Sequence, residues 1–413
     1  MRGSPPPLTP PPSRRLLILI GLAAFLLRLA FSLKTGLLWH PEIWEQETIV
    51  NHLLAGEGFI YEYLNTIYRS YCEPLYPGLA AAVYLLTAHS QPALVLVQIF
   101  LSAITAVFAA QCGWLITGNR RVAALAGFIV AAHPGLILYS IKLHPLVLDA
   151  LFLTLVVWAS LRYAGSPIAP KAAGIGILCG LCALTRPTIV IALPLIAGWL
   201  WWKTAGSFQT RLKRILLLGV LTVAVLSPWV IRNYRVHHQF MLTRSNTPFV
   251  FWLGNNPQFT GSALDRTGRP VIQLAPPELL KKIEATDELG QNRLFGEAAW
   301  AYVVSDPLGF VWRTWEKWTY FWWFTPQAGL LYPTEWFQLY RLLWLVMACG
   351  GLWGLWKART LPAGLRSSFW FVVLFAAVIG AAQSLFYIEG RHRLAIEPLL
   401  SCIIAFGFHP VDP

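Results

Sequence analysis

An all-α, polytopic membrane protein is the fold class this sequence predicts, and three observations predict it. Apolar residues make up 56% of the 413 residues, while Asp, Glu, Lys and Arg supply only 12%. A soluble domain carries about 25% charge, enough to cover a water-facing surface. The apolar residues gather into runs of helix length separated by short polar breaks. Basic segments free of acid alternate with segments that hold nearly all the acid, the distribution expected of a chain that crosses a bilayer repeatedly. Together these exclude a soluble enzyme, a nucleic-acid binder and a disordered chain. The formal net charge of +13 would point to nucleic acid in a soluble protein; here it first reports topology.

Taken in order, residues 1–15, MRGSPPPLTPPPSRR, form a proline-rich basic lead expected to be disordered. The first apolar run, about 16–34, lacks a small-residue cleavage pattern and is read as an anchor, not a signal peptide. Further spans are expected near 94–116, 122–139, 145–162, 172–185, 188–202, 215–231, 338–356, 369–387 and 394–409, about ten crossings in all. The segments bearing Arg14/Arg15, Arg120/Arg121, Arg162/Lys171, Lys203/Arg211/Lys213/Arg214 and Lys357/Arg359/Arg366 contain no acid, which places them and both termini in the cytoplasm of a plasma (inner) membrane protein. Residues 76–89, YPGLAAAVYLLTAH, are apolar but short, and counting them as a crossing would invert the loop charges; they are expected to lie along the interface. The chain thus divides into the lead 1–15, a membrane module 16–231 with a first external loop 35–93, an extracytoplasmic loop 232–337 with short interfacial helices, and C-terminal membrane helices 338–413.

The six cysteines imply no disulfide framework, and Cys179 and Cys182 are read as small residues that let helices approach closely. Chemistry is sought among polar groups near the external face. The first external loop offers His40, Glu42, Glu45 and Glu47, with Glu73 just before the apolar dip; a carboxylate beside an interfacial cavity can act as a base. Arg186 in LTRPT, Arg232 and Asn233 in SPWVIRNY, and Arg391, His392 and Arg393 in EGRHRLAIEP stand on the external side, where the charge rule disfavours cations. Arginine matches phosphate oxygens in a fixed fork, so a phosphate is one reading; lipid contact or pairing with Glu397, Glu389 or Glu42 is the other. Asp149, five residues after His144, is an acid inside a span, available for function or for a pair with Lys142.

These pieces, in the order PEIWEQETIVNHLLAGEGF, EPLYPGLAAAVYLL, GNRRVAALAGFIVAAHPGLILYS, GILCGLCALTRPTIVIALP, LSPWVIRNYRVHHQF, FWLGNNPQFTG and RHRLAIEPLL, give the chain its resemblance to a family. It resembles the polyprenyl-phosphate-sugar-dependent glycosyltransferases of the GT-C fold, relatives of protein mannosyltransferases (glycosyltransferase family 39-like) and of the lipid A aminoarabinose transferase. The resemblance implies an inverting hexosyl- or pentosyltransferase that moves a sugar from a polyprenyl-phosphate donor to an extracytoplasmic glycan, lipid or protein. It implies Glu42 as base, where the family usually has Asp, Glu73 as a second acid, and Arg391 and Arg393 at the phosphate, joined here by Arg186 and Arg232. His144 stands where relatives often carry an acid, in LHP instead of TEP or LDP, so metal binding there stays open; no cofactor is otherwise implied. A transporter or flippase of lipid-linked sugars would also want external arginines, but no symmetry between halves is visible. A non-catalytic assembly subunit would scatter these residues through the fold.

Overall fold

A computed structural model describes residues 9–330 and 334–410. Helices account for nearly all regular structure: α1 Arg14–Thr35, α2 Glu45–Leu54, α3 Leu75–Leu86, α4 Gln91–Thr117, α5 Arg120–Ala132, α6 Pro134–Tyr139, α7 Leu146–Gly165, α8 Ala169–Ala183 and α9 Ile189–Lys203. They continue with α10 Phe208–His237, α11 Thr247–Gly254, α12 Pro277–Glu284, α13 Glu288–Ser305, α14 Pro307–Trp322, α15 Thr334–Lys357, α16 Ala363–Ser384, α17 Gly390–Leu394 and α18 Glu397–Phe408. Among the described residues, one antiparallel hairpin, β1 Tyr61–Tyr63 and β2 Thr66–Tyr68, lies in the first loop.

The expected ten crossings are corrected. Among the described residues, six helices are long and apolar enough to cross a membrane: α1, α4, α7, α10, α15 with its 3-10 extension, and α16. The runs at 172–185 and 188–202 form α8 and α9 of 15 residues each, and 394–409 begins at the last residue of α17 and forms the 12-residue α18. Twelve residues rise only about 18 Å against a hydrocarbon core of about 30 Å. Every residue of α18 from Glu397 to Gly407 is buried, so this helix is core that its neighbours surround. Close approach makes that possible: a Cβ on Gly407 would stand 1.8 Å from the Gly350 carbonyl oxygen of α15.

The run 122–139 breaks because Pro134 lacks an N–H and restricts the residue before it. The carbonyls released at the end of α5 are not left bare. Arg28, buried in α1, donates to Val130 O at 3.1 Å and Ala131 O at 2.9 Å, and its Nε to Ser102 Oγ at 2.8 Å. Cys179 and Cys182 are buried and free on α8, which packs on α10 through Gly180, where a Cβ would lie 2.6 Å from Val225 Cβ. Cys72, in the first loop, is buried against Ile49 and Phe59.

At one end of the bundle the acid-free basic segments meet. Thr9 and Ser13 bond Gly118 and Arg120, Tyr163 bonds Thr204, Lys203 bonds Ser367, and Lys357 bonds the His409 carbonyl. Residues 1–8 of the expected disordered lead lie outside the described residues; residues 9–15 are held by these contacts, with Ser13 capping α1. The opposite end carries the first loop and the long loop, which are bolted together. Glu288 of α13 accepts from the backbone N–H of Arg69 at 2.7 Å and Ser70 at 3.1 Å, and Gln291 bonds Tyr68, Leu64 and Thr66. The long loop begins later than residue 232, because α10 runs on to His237. Its α14 turns Arg313, Lys317 and Phe321 inward and leaves Leu308, Val311, Trp312 and Trp315 exposed, the face of an interfacial helix. The apolar segment after the first loop is the 12-residue α3, packed on α2 and α4.

Candidate active site

The loop-bearing end holds a cluster of opposed charges drawn from seven separate stretches of chain. Its placement starts with Gln98 of α4, whose amide donates to the Lys142 carbonyl at 3.0 Å while Tyr76 of α3 donates to the same side chain. The segment so fixed pairs with the first loop: Leu143 N donates to Glu42 O at 3.0 Å, and Ile43 and Leu143 form a parallel bridge. Glu42 is thereby set against Lys142, Oε2 to Nζ 2.6 Å, with the lysine buried and the carboxylate 47% exposed. Two residues on, Trp44 stands edge-on to His144 at 4.9 Å, and the Arg391 guanidinium lies 4.8 Å from the Trp44 ring centroid.

Three further carboxylate–cation pairs complete the cluster. Arg186 Nε meets Asp149 Oδ2 at 2.8 Å, Arg244 Nε meets Glu73 Oε1 at 3.2 Å, and Arg391 Nη1 meets Glu389 Oε2 at 2.6 Å. Arg391 also donates to Tyr387 Oη at 3.2 Å. Asp149 pairs with Arg186, and Lys142, which the sequence left open as its partner, pairs with Glu42. Burial opposes the charge on Arg391, but Glu389, the tyrosines Tyr387 and Tyr139, and Glu45 outweigh it and hold the guanidinium firmly protonated.

Two imidazoles sit among these cations. Burial, then Arg391, Arg186 and Lys142, pull His144 well below its ordinary value; burial, then Arg186, Arg391, His144 and Arg244, do the same to His392. Nδ1 of His144 accepts from Leu146 N at 3.1 Å, and Nδ1 of His392 from Glu389 N at 3.3 Å. Each neutral ring thus carries its proton on Nε2. The arrangement offers a half-exposed carboxylate, three arginine forks each engaged with only one carboxylate, and neutral N–H donors. Chemically this suits an anion bound beside a base.

Not every residue singled out in the sequence joins the cluster. Arg393 points into the bundle instead. Its Nε is spent on Glu397 at 2.8 Å and its Nη1 on the Phe321 and Trp323 carbonyls, with Trp344 stacked at 3.6 Å; Arg393 and Glu397 are both fully buried. His133 closes the same knot on Glu397 at 2.7 Å. Arg232 is likewise committed: Nη1 donates to Arg69 O, Ser70 Oγ and Asn233 Oδ1, and Asn233 donates to Thr243 O, so both brace the loops. His40 is exposed on the turn after α1. Lys142 and Arg244 were missed as site residues, although the charge rule that picked Arg186 applies to them equally: both are cations on the acid-bearing side. Among the described residues no group of three or more His, Cys, Asp or Glu side chains is arranged to hold a metal ion.

No protein-family model and no curated protein matches the chain. Solved structures do. The oligosaccharyltransferase of Archaeoglobus fulgidus in its apo form aligns over 95% of this chain and 50% of that one, at 12% identity and a TM-score of 0.53. This chain therefore spans about half the length of that protein. ArnT from Cupriavidus metallidurans bound to undecaprenyl phosphate aligns over 95% of this chain and 76% of that one, at 13% identity and a TM-score of 0.45. What the first of these likenesses shows is the fold: a GT-C-like, all-α polytopic membrane architecture with several apolar helices of spanning length.

Proposed function

We propose that the protein is a membrane glycosyltransferase that moves a sugar from a polyprenyl-phosphate donor to an extracytoplasmic acceptor. One observation carries this reading: Glu42, Arg186 and Arg391, from distant parts of the chain, converge on the end opposite the basic segments. A non-catalytic subunit has no reason to gather a half-exposed carboxylate and arginine forks in one place. The fold shared with an oligosaccharyltransferase agrees with it.

In this mechanism Glu42 accepts the proton of the acceptor hydroxyl or amine as that atom attacks the anomeric carbon. The new bond to carbon forms opposite the phosphate, the carbon–oxygen bond to phosphate breaks, and the configuration inverts. Polyprenyl phosphate leaves with the bonding electrons. It is stable as an anion near neutral pH, so it needs cations more than a proton donor. Arg186 and Arg391, with Arg244 beside them, supply that charge; Lys142 holds and aims Glu42. Glu73 and Asp149 orient Arg244 and Arg186.

Lipid and glycan mass spectrometry of cells with and without the gene tests the reading: loss of one sugar modification, with accumulation of its lipid-phosphate donor, is expected, and unchanged glycans and lipids would refute it. The orientation has its own test. Cysteines introduced at Ser90 and Gly118, which flank α4, should label from opposite sides of the membrane; labelling from one side would reject the topology.

A further inference from the structure

A second site lies at the other end of the bundle. Between the last turns of α9 and the first turns of α16 a groove encloses about 650 Å³, within the ~300–1,000 Å³ that bound small molecules occupy. Its floor is Trp199, buried and stacked on Phe371 with ring centroids 4.4 Å apart. Its walls are apolar yet open: Trp202 is 61% exposed and Trp370 42%. Gly198 keeps the trough clear, since a Cβ there would meet nothing within 4 Å.

The mouth is cationic. Arg366 lines it and is exposed. Lys203 hangs over the Trp202 ring at 4.0 Å and donates to Ser367 Oγ at 2.8 Å. No acid occurs between residues 190 and 264 or between 336 and 388, so both segments that form the mouth carry positive charge only. The helices on either side are apolar, and α16 is long enough to cross a membrane, so a lipid is the occupant this trough suits. A trough walled by tryptophan with arginine and lysine at its rim matches an acyl chain joined to an anionic head.

We propose that this groove binds an anionic glycerophospholipid from the leaflet at the basic end, with an acyl chain along Trp199 and Trp370 and the phosphate at Arg366 and Lys203. The inference is independent of the sugar-transfer reading, because it uses none of the residues at the opposite end.

The test is native mass spectrometry of the full-length protein released from nanodiscs of mixed phosphatidylglycerol and phosphatidylcholine. Wild type should retain phosphatidylglycerol in preference to phosphatidylcholine. Arg366→Gln should lower that preference about fivefold, the effect of one cation near a lipid surface. Gly198→Phe fills the trough without touching a charge and should displace the lipid while the melting temperature holds. Equal retention of phosphatidylglycerol by wild type and Gly198→Phe would overturn the proposal. So would indifference to head-group charge, or displacement of phosphatidylglycerol by a polyprenyl phosphate at lower concentration than by phosphatidylglycerol itself.

Discussion

Arg391 and Arg393 lie two residues apart on one short helix and live in opposite surroundings. Two residues turn a helix by about 200°, so α17 points one guanidinium at the loops and the other into the bundle. Arg391 keeps one carboxylate, one phenol and an open flank toward Trp44. Arg393 is enclosed by Glu397, His133, two carbonyls and Trp344. The same contrast divides the whole loop-bearing end. Pairs such as Lys142–Glu42 and Arg186–Asp149 each keep one partner at least partly exposed, while Arg393–Glu397 and the Arg232–Asn233–Ser70 knot hold elements together. Arg393 is tied to backbone carbonyls and a buried carboxylate, and Arg232 to oxygens of the loops, which positions the chain; Arg186, Arg244 and Arg391 each meet a carboxylate of the cluster.

That division can be broken at its strongest point first. Replacing Arg393 by Met leaves Glu397 buried with only His133, and removing one partner of a buried ion pair costs about 3–5 kcal/mol. The expected result is loss of folded protein, read as a collapsed melting transition in detergent; a stable Arg393→Met protein that merely fails to transfer would put Arg393 back at the phosphate. Arg391→Gln should do the reverse, with the fold retained and transfer reduced by about 10²–10³, the effect of deleting one preorganised donor to a developing anion. A smaller effect concerns pH. The imidazoles His144 and His392 are held neutral in the folded chain, whereas the unfolded chain protonates them below its ordinary imidazole value of about 6.5. The unfolded state then binds more protons, so stability falls as pH drops below that point, by at most about 1.4 kcal/mol per pH unit for each group. Melting curves between pH 7.5 and 5 should show this, and His392→Gln should flatten the slope; a slope unchanged in that variant would mean His392 is already charged when folded. At the small end, His40→Ala should shift stability by less than about 0.5 kcal/mol and leave transfer alone, as expected of an exposed turn residue. A large loss in a transfer assay would draw His40 into the site.

Much of the fold was legible because composition and charge act on whole segments. Runs of apolar residues, and the separation of basic from acid-bearing loops, survive without knowledge of any contact. The crossing count did not survive, because Pro134 splits one run and because α8, α9 and α18 are too short to span alone. Hydropathy cannot tell a lipid-facing helix from one buried among its neighbours. The hairpin Tyr61–Tyr68 was invisible for another reason: its register is held by Gln291 and Glu288, more than 200 positions away. The candidate site was half legible. Arg186 and Arg391 were found because cations on the acid-bearing side violate the charge rule. The same rule picked out Arg232 and Arg393 and could not separate them, since the partners that engage their donors come from elements far along the chain.

The most direct measurement is transfer by the purified Glu42→Gln protein, assayed beside binding of the polyprenyl-phosphate sugar. Gln keeps the shape and can still accept from Lys142, so the cation cluster that holds the phosphate should remain intact. The expected result is donor affinity within about threefold of wild type with transfer lowered by about 10²–10⁴, the range for loss of a general base. Undiminished transfer by Glu42→Gln would contradict the assignment of the base and, with it, the reading of this cluster as the reaction centre.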